Sequence, residues 1–439
     1  MHLLPRIAAT LLTVLSMAAP ARAVTLLRDA DIENALGQLA RPILAAAGLP
    51  GTIQVLLVDD SGYNAFVVDS RHIFVTSGLM MKLDSAAQLQ SVLAHEAAHI
   101  ANGHLSRRMA NARAANTIAG LGMALAAAAA VSGNSAAARG LGLGVAGSAQ
   151  RVYFAHTRAE ESAADTSGLR YLTGAGADPQ AFLQVLDIFR GQELVSELRQ
   201  DPYARTHPLS RDRLRAIQAQ VTGARAGKPD PKSDYWFERA KGKLTAWERP
   251  PKWTLRRAPS SLTEDIRLMR EAVAYHRNSD TAGALARIDA LVAQRPKDAY
   301  VHDLRCQILL ESLKAQASVA ACKTASQLAP DNALILGQLG RALLVAKQPK
   351  SAIPVLEKAQ RLDDTNAALL RDLAQAYAQT KQTGMASVVT AERYALIGRP
   401  RDALIHAKRA EGLLPRGSAP WLRAQDVISA SEAAETQRN

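Results

Sequence analysis

His95-Glu96-Ala97-Ala98-His99 is the segment whose residue types and spacing can do chemistry. On a helix, the i, i+4 spacing puts both imidazoles on one face, where they can hold a single zinc ion. Glu96 is offset from that face and can hold a water molecule as general base. A third ligand is needed. The pattern with a Gly three residues after the second His and a third His three further on fails here, because those positions hold Asn102 and Leu105. His104 points away from the His95/His99 face.

The segment Glu161-Ser162-Ala163-Ala164-Asp165 offers a better solution. Glu161 can be the third zinc ligand, and Asp165, one turn on, can accept the free ring N–H of a ligand His and fix its orientation. Glu160 and His156 are weaker competitors. Two His and one Glu leave a fourth position for water, whose pKa the metal lowers to about 7. With Glu96 moving the proton, this is the chemistry of peptide hydrolysis.

These residues need elements to position them. A long helix over 85–109, capped by Asp84, carries the first motif, and a helix over 150–174 carries the second. Residues 28–48 read as an amphipathic helix. Ile53 to Asp59, Asn64 to Asp69 and His72 to Thr76 read as strands, the last two joined at Ser70-Arg71. Helices at 178–198 and 209–221 follow. Residues 113–149 are Ala- and Gly-rich, with Arg113 and Arg139 their only charges. Lying between the two motif helices, they suit a lid or membrane-leaning hairpin better than a spanning one. A Pro/Lys/Arg-rich stretch, 222–262, reads as a boundary with one short helix around Tyr235 to Leu244.

The chain has 439 residues, 48% apolar but only 4% aromatic, so Ala and Leu must build the core. That favours helices and excludes a large β-sandwich, a disordered chain and a disulfide scaffold. Met1 to Arg6 is basic, Ile7 to Ala19 apolar, and Ala21-Arg22-Ala23 a cleavage signature, so residues 1–23 read as a signal peptide. The net charge of +13 implies an anionic surface as partner. No basic–aromatic interleaving points to nucleic acid.

Pro296, Pro330 and Asp364 stand 34 residues apart, the tetratricopeptide period. In that frame Ala284, Ala325, Gly340, Ala352, Ala359, Ala374, Ala386, Ala391, Ala403 and Ala410 take small positions where paired helices approach closely. Such arrays present a concave surface to a partner. Cys306 and Cys322 face each other on the two helices of one repeat, as a disulfide or as two buried thiols.

Asn64-Ala65-Phe66, Ile73-Phe74-Val75-Thr76-Ser77-Gly78-Leu79, His95-Glu96-x-x-His99, Glu161-x-x-Ala164-Asp165 and Thr206-His207-Pro208-Leu209 occur in that order. Over roughly residues 28–245 the chain resembles the zinc metallopeptidases of the HtpX and CAAX-prenyl-protease type. The signal peptide and the repeats make it similar to the periplasmic members. The resemblance implies zinc on His95, His99 and Glu161, with Glu96 as base. It implies that His207 lies near the zinc, where it either fills the fourth position and holds the site latent or stabilises the oxyanion. It also implies that the Phe66 to Val75 hairpin pairs with an extended substrate, though Val68-Asp69-Ser70-Arg71 stands where relatives often have a Pro-Gly turn.

The expected fold is mainly α: an α+β zincin-like metallopeptidase domain with a small sheet at 24–222, a linker at 223–262 and an α-helical tetratricopeptide-repeat solenoid at 263–439. By resemblance, the function is periplasmic zinc-dependent proteolysis in outer-membrane protein quality control. The partners would be misassembled outer-membrane proteins and, through the repeats, the β-barrel assembly machinery, with peripheral membrane contact. The alternative is a non-proteolytic chaperone or scaffold with a latent zinc site.

Overall fold

The computed structural model describes residues 25–107, 158–190, 207, 210–225 and 227–436. The expected signal peptide, lid segment 113–149 and competing ligand His156 lie outside them. Contacts group the described residues into two units, Leu26–Ala346 and residues 347–436.

In the first unit a four-stranded sheet runs in the order β1-β2-β4-β3, with β1 at Leu26–Leu27, β2 at Gln54–Val58, β3 at Ala65–Val67 and β4 at His72–Thr76. β2 and β4 pair in parallel, and β3 pairs antiparallel to β4 with Phe66 opposite Phe74. The β3–β4 turn is closed by Asp69, whose Oδ1 accepts from the backbone N–H of Arg71 at 2.7 Å and of His72 at 2.9 Å. An Asx turn thus takes the place of a Pro-Gly pair. At the far end of β4, Thr76 Oγ1 accepts from Asn64 N–H at 2.9 Å and sits 2.6 Å from Gly62 O. Gly78 follows because the chain passes directly beneath it: a Cβ there would lie 2.1 Å from Ser61 O.

Helix α1 (Ala30–Ala46) covers the sheet, its N-terminus capped by Asp29. A short α2 (Ser77–Lys82) leads to α3 (Ala86–Ala101), which carries the His95–His99 motif. Ser85, rather than Asp84, is the N-cap: its side chain accepts from Gln88 N–H. The helix also stops earlier than its apolar pattern suggests. Gly103 adopts φ +66° and its N–H donates to Ile100 O, a left-handed helix stop that the Asn102-Gly103 pair encodes. A new helical stretch begins at once, at 104–107. Residues 158–174 form α4, followed by α5 (Gln180–Ile188) and α6 (Arg211–Gly223).

The stretch read as a boundary is instead packed structure. Pro231–Glu248 forms α7, followed by α8 (Pro251–Arg257). Phe237, Ala240 and Leu244 of α7 are buried in the peptidase-side core, while Ala246 belongs to the core of the first repeat helices. A Pro/Lys/Arg-rich composition conceals this because the charged residues are buried in pairs. Arg239 Nε lies 2.7 Å from Asp31, its Nη1 2.7 Å from Asp298, and Lys243 Nζ 2.9 Å from Asp29. Breaking such a pair costs about 3–5 kcal/mol.

The helices that follow in this unit are α9 (Glu264–Arg277), α10 (Thr281–Gln294), α11 (Ala299–Glu311), α12 (Ala315–Leu328) and α13 (Ala333–Val345). Cys306 and Cys322 are joined in a disulfide between α11 and α12, their Cα atoms 5.2 Å apart. The second unit holds α14 (Pro349–Leu362), α15 (Ala367–Gln379), α16 (Thr383–Leu396), α17 (Pro400–Leu413) and α18 (Ala419–Thr436). Of the alanines assigned to small positions, Ala284, Ala325, Ala352, Ala359, Ala391, Ala403 and Ala410 are fully buried, whereas Ala374 and Ala386 are only partly buried. The repeat is also written in the backbone. Ser279, Leu313, Lys347 and Lys381, 34 residues apart, are the non-glycine positions of positive φ among the described residues, between 59° and 64°. Among the described residues no helix is long and apolar enough to cross a membrane.

Candidate metal centre

α3 and α4 cross at Gly168, where an added Cβ would sit 3.1 Å from His95 Cα and 3.2 Å from the Ala94 carbonyl. This close approach brings Glu161 and Asp165, seven and three residues earlier on α4, against the motif. His95, Glu96, His99, Glu161, Asp165 and His207 are all buried.

Four of them converge. One donor atom each from His95, His99, Glu161 and His207 lies within 4.8 Å of all the others. His95 Nε2 is 3.1 Å from His99 Nε2 and 3.2 Å from His207 Nδ1. Glu161 Oε2 is 2.9 Å from His207 Nδ1 and 3.3 Å from His95 Nε2, and its Oε1 is 3.5 Å from His99 Nε2. A tetrahedron with bonds of roughly 2.0–2.1 Å has edges of about 3.3 Å, so this donor set fits one small cation. Glu96 Oε1 lies 3.5 Å from His207 Nε2, on the flank of the cluster.

Electrostatics agree. Burial disfavours a charged His95, but its contacts with Asp165 and Glu161 outweigh this and push its pKa up to about 10. Burial opposes ionisation of Glu161 too, yet the His207 and His95 rings hold it well below the usual carboxylate range. Two buried acids thus demand positive charge at this point, which protons or a cation can supply.

Around the donors stands a supporting shell. Asp165 Oδ1 is 3.1 Å from His95 Nδ1, the ring nitrogen turned away from the cluster. Arg213, on α6, donates through Nε and Nη2 to both oxygens of Asp165, and its Nη1 lies 3.5 Å from Glu161 Oε2 and 3.4 Å from His207 O. Sequence reasoning missed Arg213; its only trace is its place six residues after His207. It also misplaced His104. The stop at Gly103 turns that residue back, and its Nδ1 lies 2.9 Å from His99 Nδ1. Glu160 stands outside the cluster, 3.8 Å from Arg107. β3 is the edge strand, and among the described residues nothing pairs with its outer side.

The profile of peptidase family M48 matches residues 27–221. The beta-barrel assembly-enhancing protease of Escherichia coli K12 is 27% identical over 401 residues, covering 89% of this chain and 80% of that protein. The Yersinia pestis protein of the same name is 25% identical over 330 residues, 74% of this chain and 67% of that one. A solved tetratricopeptide protein of Thermus thermophilus is 15% identical over 48% of this chain and 95% of its own, with a TM-score of 0.28.

Proposed function

We propose that this chain, whose residues 27–221 match the profile of peptidase family M48, is a periplasmic zinc endopeptidase that degrades misassembled outer-membrane β-barrel proteins and assists their assembly. The observation that carries the enzymatic part is the buried His95/His99/Glu161/His207 donor set with Glu96 beside it. Its similarity to the beta-barrel assembly-enhancing proteases supports the substrate class.

His95, His99 and Glu161 are the residues that hold zinc. When bound, zinc polarises a substrate carbonyl and acidifies a water molecule. Glu96 takes that water's proton at its carboxylate and delivers it to the leaving amine nitrogen as the C–N bond breaks. Asp165 holds the His95 ring by its Nδ1, and Arg213 holds Asp165. Both keep the donor geometry fixed before substrate arrives. β3 offers its free edge to an extended chain, which pairs main chain to main chain and lies across the cluster. Residues 1–23 direct export, and the repeats dock on the assembly machinery.

His207 supports a second reading, a scaffold whose site stays latent. Its Nδ1 stands among the ligand donors rather than outside them. His207 would add a fourth donor to a metal held by His95, His99 and Glu161, and would keep the site latent until it withdraws. The test is cleavage of an unfolded outer-membrane barrel protein by wild type, Glu96→Gln and His207→Ala, with bound zinc quantified. Cleavage by His207→Ala above wild type, and none by zinc-loaded Glu96→Gln, is expected. No cleavage by any zinc-loaded variant would leave the scaffold reading standing.

A further inference from the structure

Within the second unit, α15, α16 and α17 enclose an open groove of about 400 Å³. Three arginines line it, one from each helix: Arg371, Arg393 and Arg409. His406 joins them, stacked on Tyr394 with ring centroids 5.4 Å apart. The remaining polar lining is neutral, chiefly Gln375, Ser387 and Thr390, and no carboxylate is part of it.

The cations are incompletely neutralised. Arg371 pairs with Asp372, 2.9 Å away on the same helix. Among the described residues Arg409 makes no ion pair, and Arg393 Nε is buried without a hydrogen-bond partner. The exposed Arg371 and Arg409 guanidinium groups are open to carboxylate acceptors, and charge-assisted hydrogen bonds of this kind are the stronger ones. Burial and the Arg409 charge, against a smaller pull from Asp402, hold His406 below its usual pKa, so it enters as a neutral hydrogen-bonding ring. The site already described uses none of these residues.

We propose that this groove binds an acidic, extended segment of a partner protein, its Asp or Glu carboxylates received by Arg393, Arg409 and Arg371. Planar guanidinium groups match carboxylates in bidentate geometry. The arginines come from three successive helices, so positive charge is distributed across the groove and suits several carboxylates along a chain better than one compact anion. Gln375 and the hydroxyls offer both donors and acceptors to main-chain amides. The small Ala374, Ala378 and Ala386 leave room for that chain.

The test is fluorescence anisotropy with the full chain and a labelled peptide of alternating Glu and Ser, beside its Gln-for-Glu counterpart. Wild type should bind the Glu peptide at least about tenfold more tightly. Arg393→Glu with Arg409→Glu should abolish that preference, whereas Lys314→Glu with Lys323→Glu, an equal charge change at exposed positions elsewhere, should leave it intact. If the reversed arginines disturb the circular dichroism spectrum, Arg393→Gln with Arg409→Gln should still weaken binding by about tenfold. Equal loss in the lysine control, or equal binding of the Gln peptide, would overturn the proposal. So would displacement of the peptide by inorganic phosphate at matching concentration. Binding of phosphatidylglycerol vesicles that depends on Arg393 and Arg409, with no peptide preference, would assign the groove to lipid and overturn it as well.

Discussion

Arg213 grips Asp165 with two hydrogen bonds, 2.7 and 2.8 Å long, from a helix that contributes no donor to the metal cluster. Asp165 in turn meets His95 Nδ1 at 3.1 Å. A chain of three residues therefore fixes the ring plane of one donor. Arg213→Gln should lower zinc affinity by about 10–100-fold and activity with it. Arg213→Lys should recover little, since an ammonium cannot grip both oxygens. Competition with a zinc chelator reads the affinity directly. Unchanged affinity in both variants would remove Arg213 from the account.

His104 holds His99 in a similar manner, Nδ1 to Nδ1 at 2.9 Å. Replacing it with Ala should weaken zinc binding by about tenfold or more, with the helical content of the chain retained. The same chelator assay decides it. Gly103→Ala should act in the same direction without touching either ring, because φ +66° is strained for a residue with a Cβ and relaxing it swings His104 away.

The junction of α1, α7 and α11 carries a pH dependence. Burial pushes the Asp303 carboxyl up to about 7; Lys243 opposes this, while Asp29 and Asp31 add to it. A carboxyl whose folded pKa lies above its unfolded value of about 4 adds stability that is present below pH 4 and is lost as pH rises toward 7. Asp303→Asn cannot lose a proton. Its Tm, relative to wild type, should climb between pH 4.5 and 7.5 by the equivalent of a few kcal/mol at most. A constant difference across that window would contradict the burial of an ionisable Asp303.

The repeat turns predict a sign reversal. Leu313 is 87% exposed at φ 61°, so its side chain gains nothing from burial and its backbone is strained. Leu313→Gly should stabilise by about 0.5 kcal/mol or more. Ala320→Gly, at an exposed position within α12, should destabilise by about 1 kcal/mol. Thermal unfolding of the two variants compares them.

These contrasts also show what the sequence can reveal. The His95–His99 spacing and the Glu161/Asp165 pair were legible because helical periodicity alone puts each pair on one face. The 34-residue repeat was legible because small residues recur where helices touch, and the four left-handed turns keep the same period. Arg213 was not legible, because its partner is 48 residues away and nothing local marks an arginine as buried. The helix around Tyr235 to Leu244 was legible, but the burial of α7 was hidden for the same reason: Arg239 and Lys243 look like solvated charges until Asp29, Asp31 and Asp298 are seen beside them. His104 was misread through one dihedral angle, since the apolar pattern runs on while Gly103 stops the helix.

In the function proposed above, His95, His99 and Glu161 hold the metal while Glu96 moves the proton. This division of roles is tested most directly by measuring zinc content and cleavage together in wild type, Glu96→Gln and Glu161→Gln, with His207→Ala as the common background. Glu96→Gln should keep zinc at the level of the His207→Ala parent and cleave nothing, while Glu161→Gln should lose both. Cleavage by Glu96→Gln at the background rate, or full zinc retention by Glu161→Gln, would contradict it.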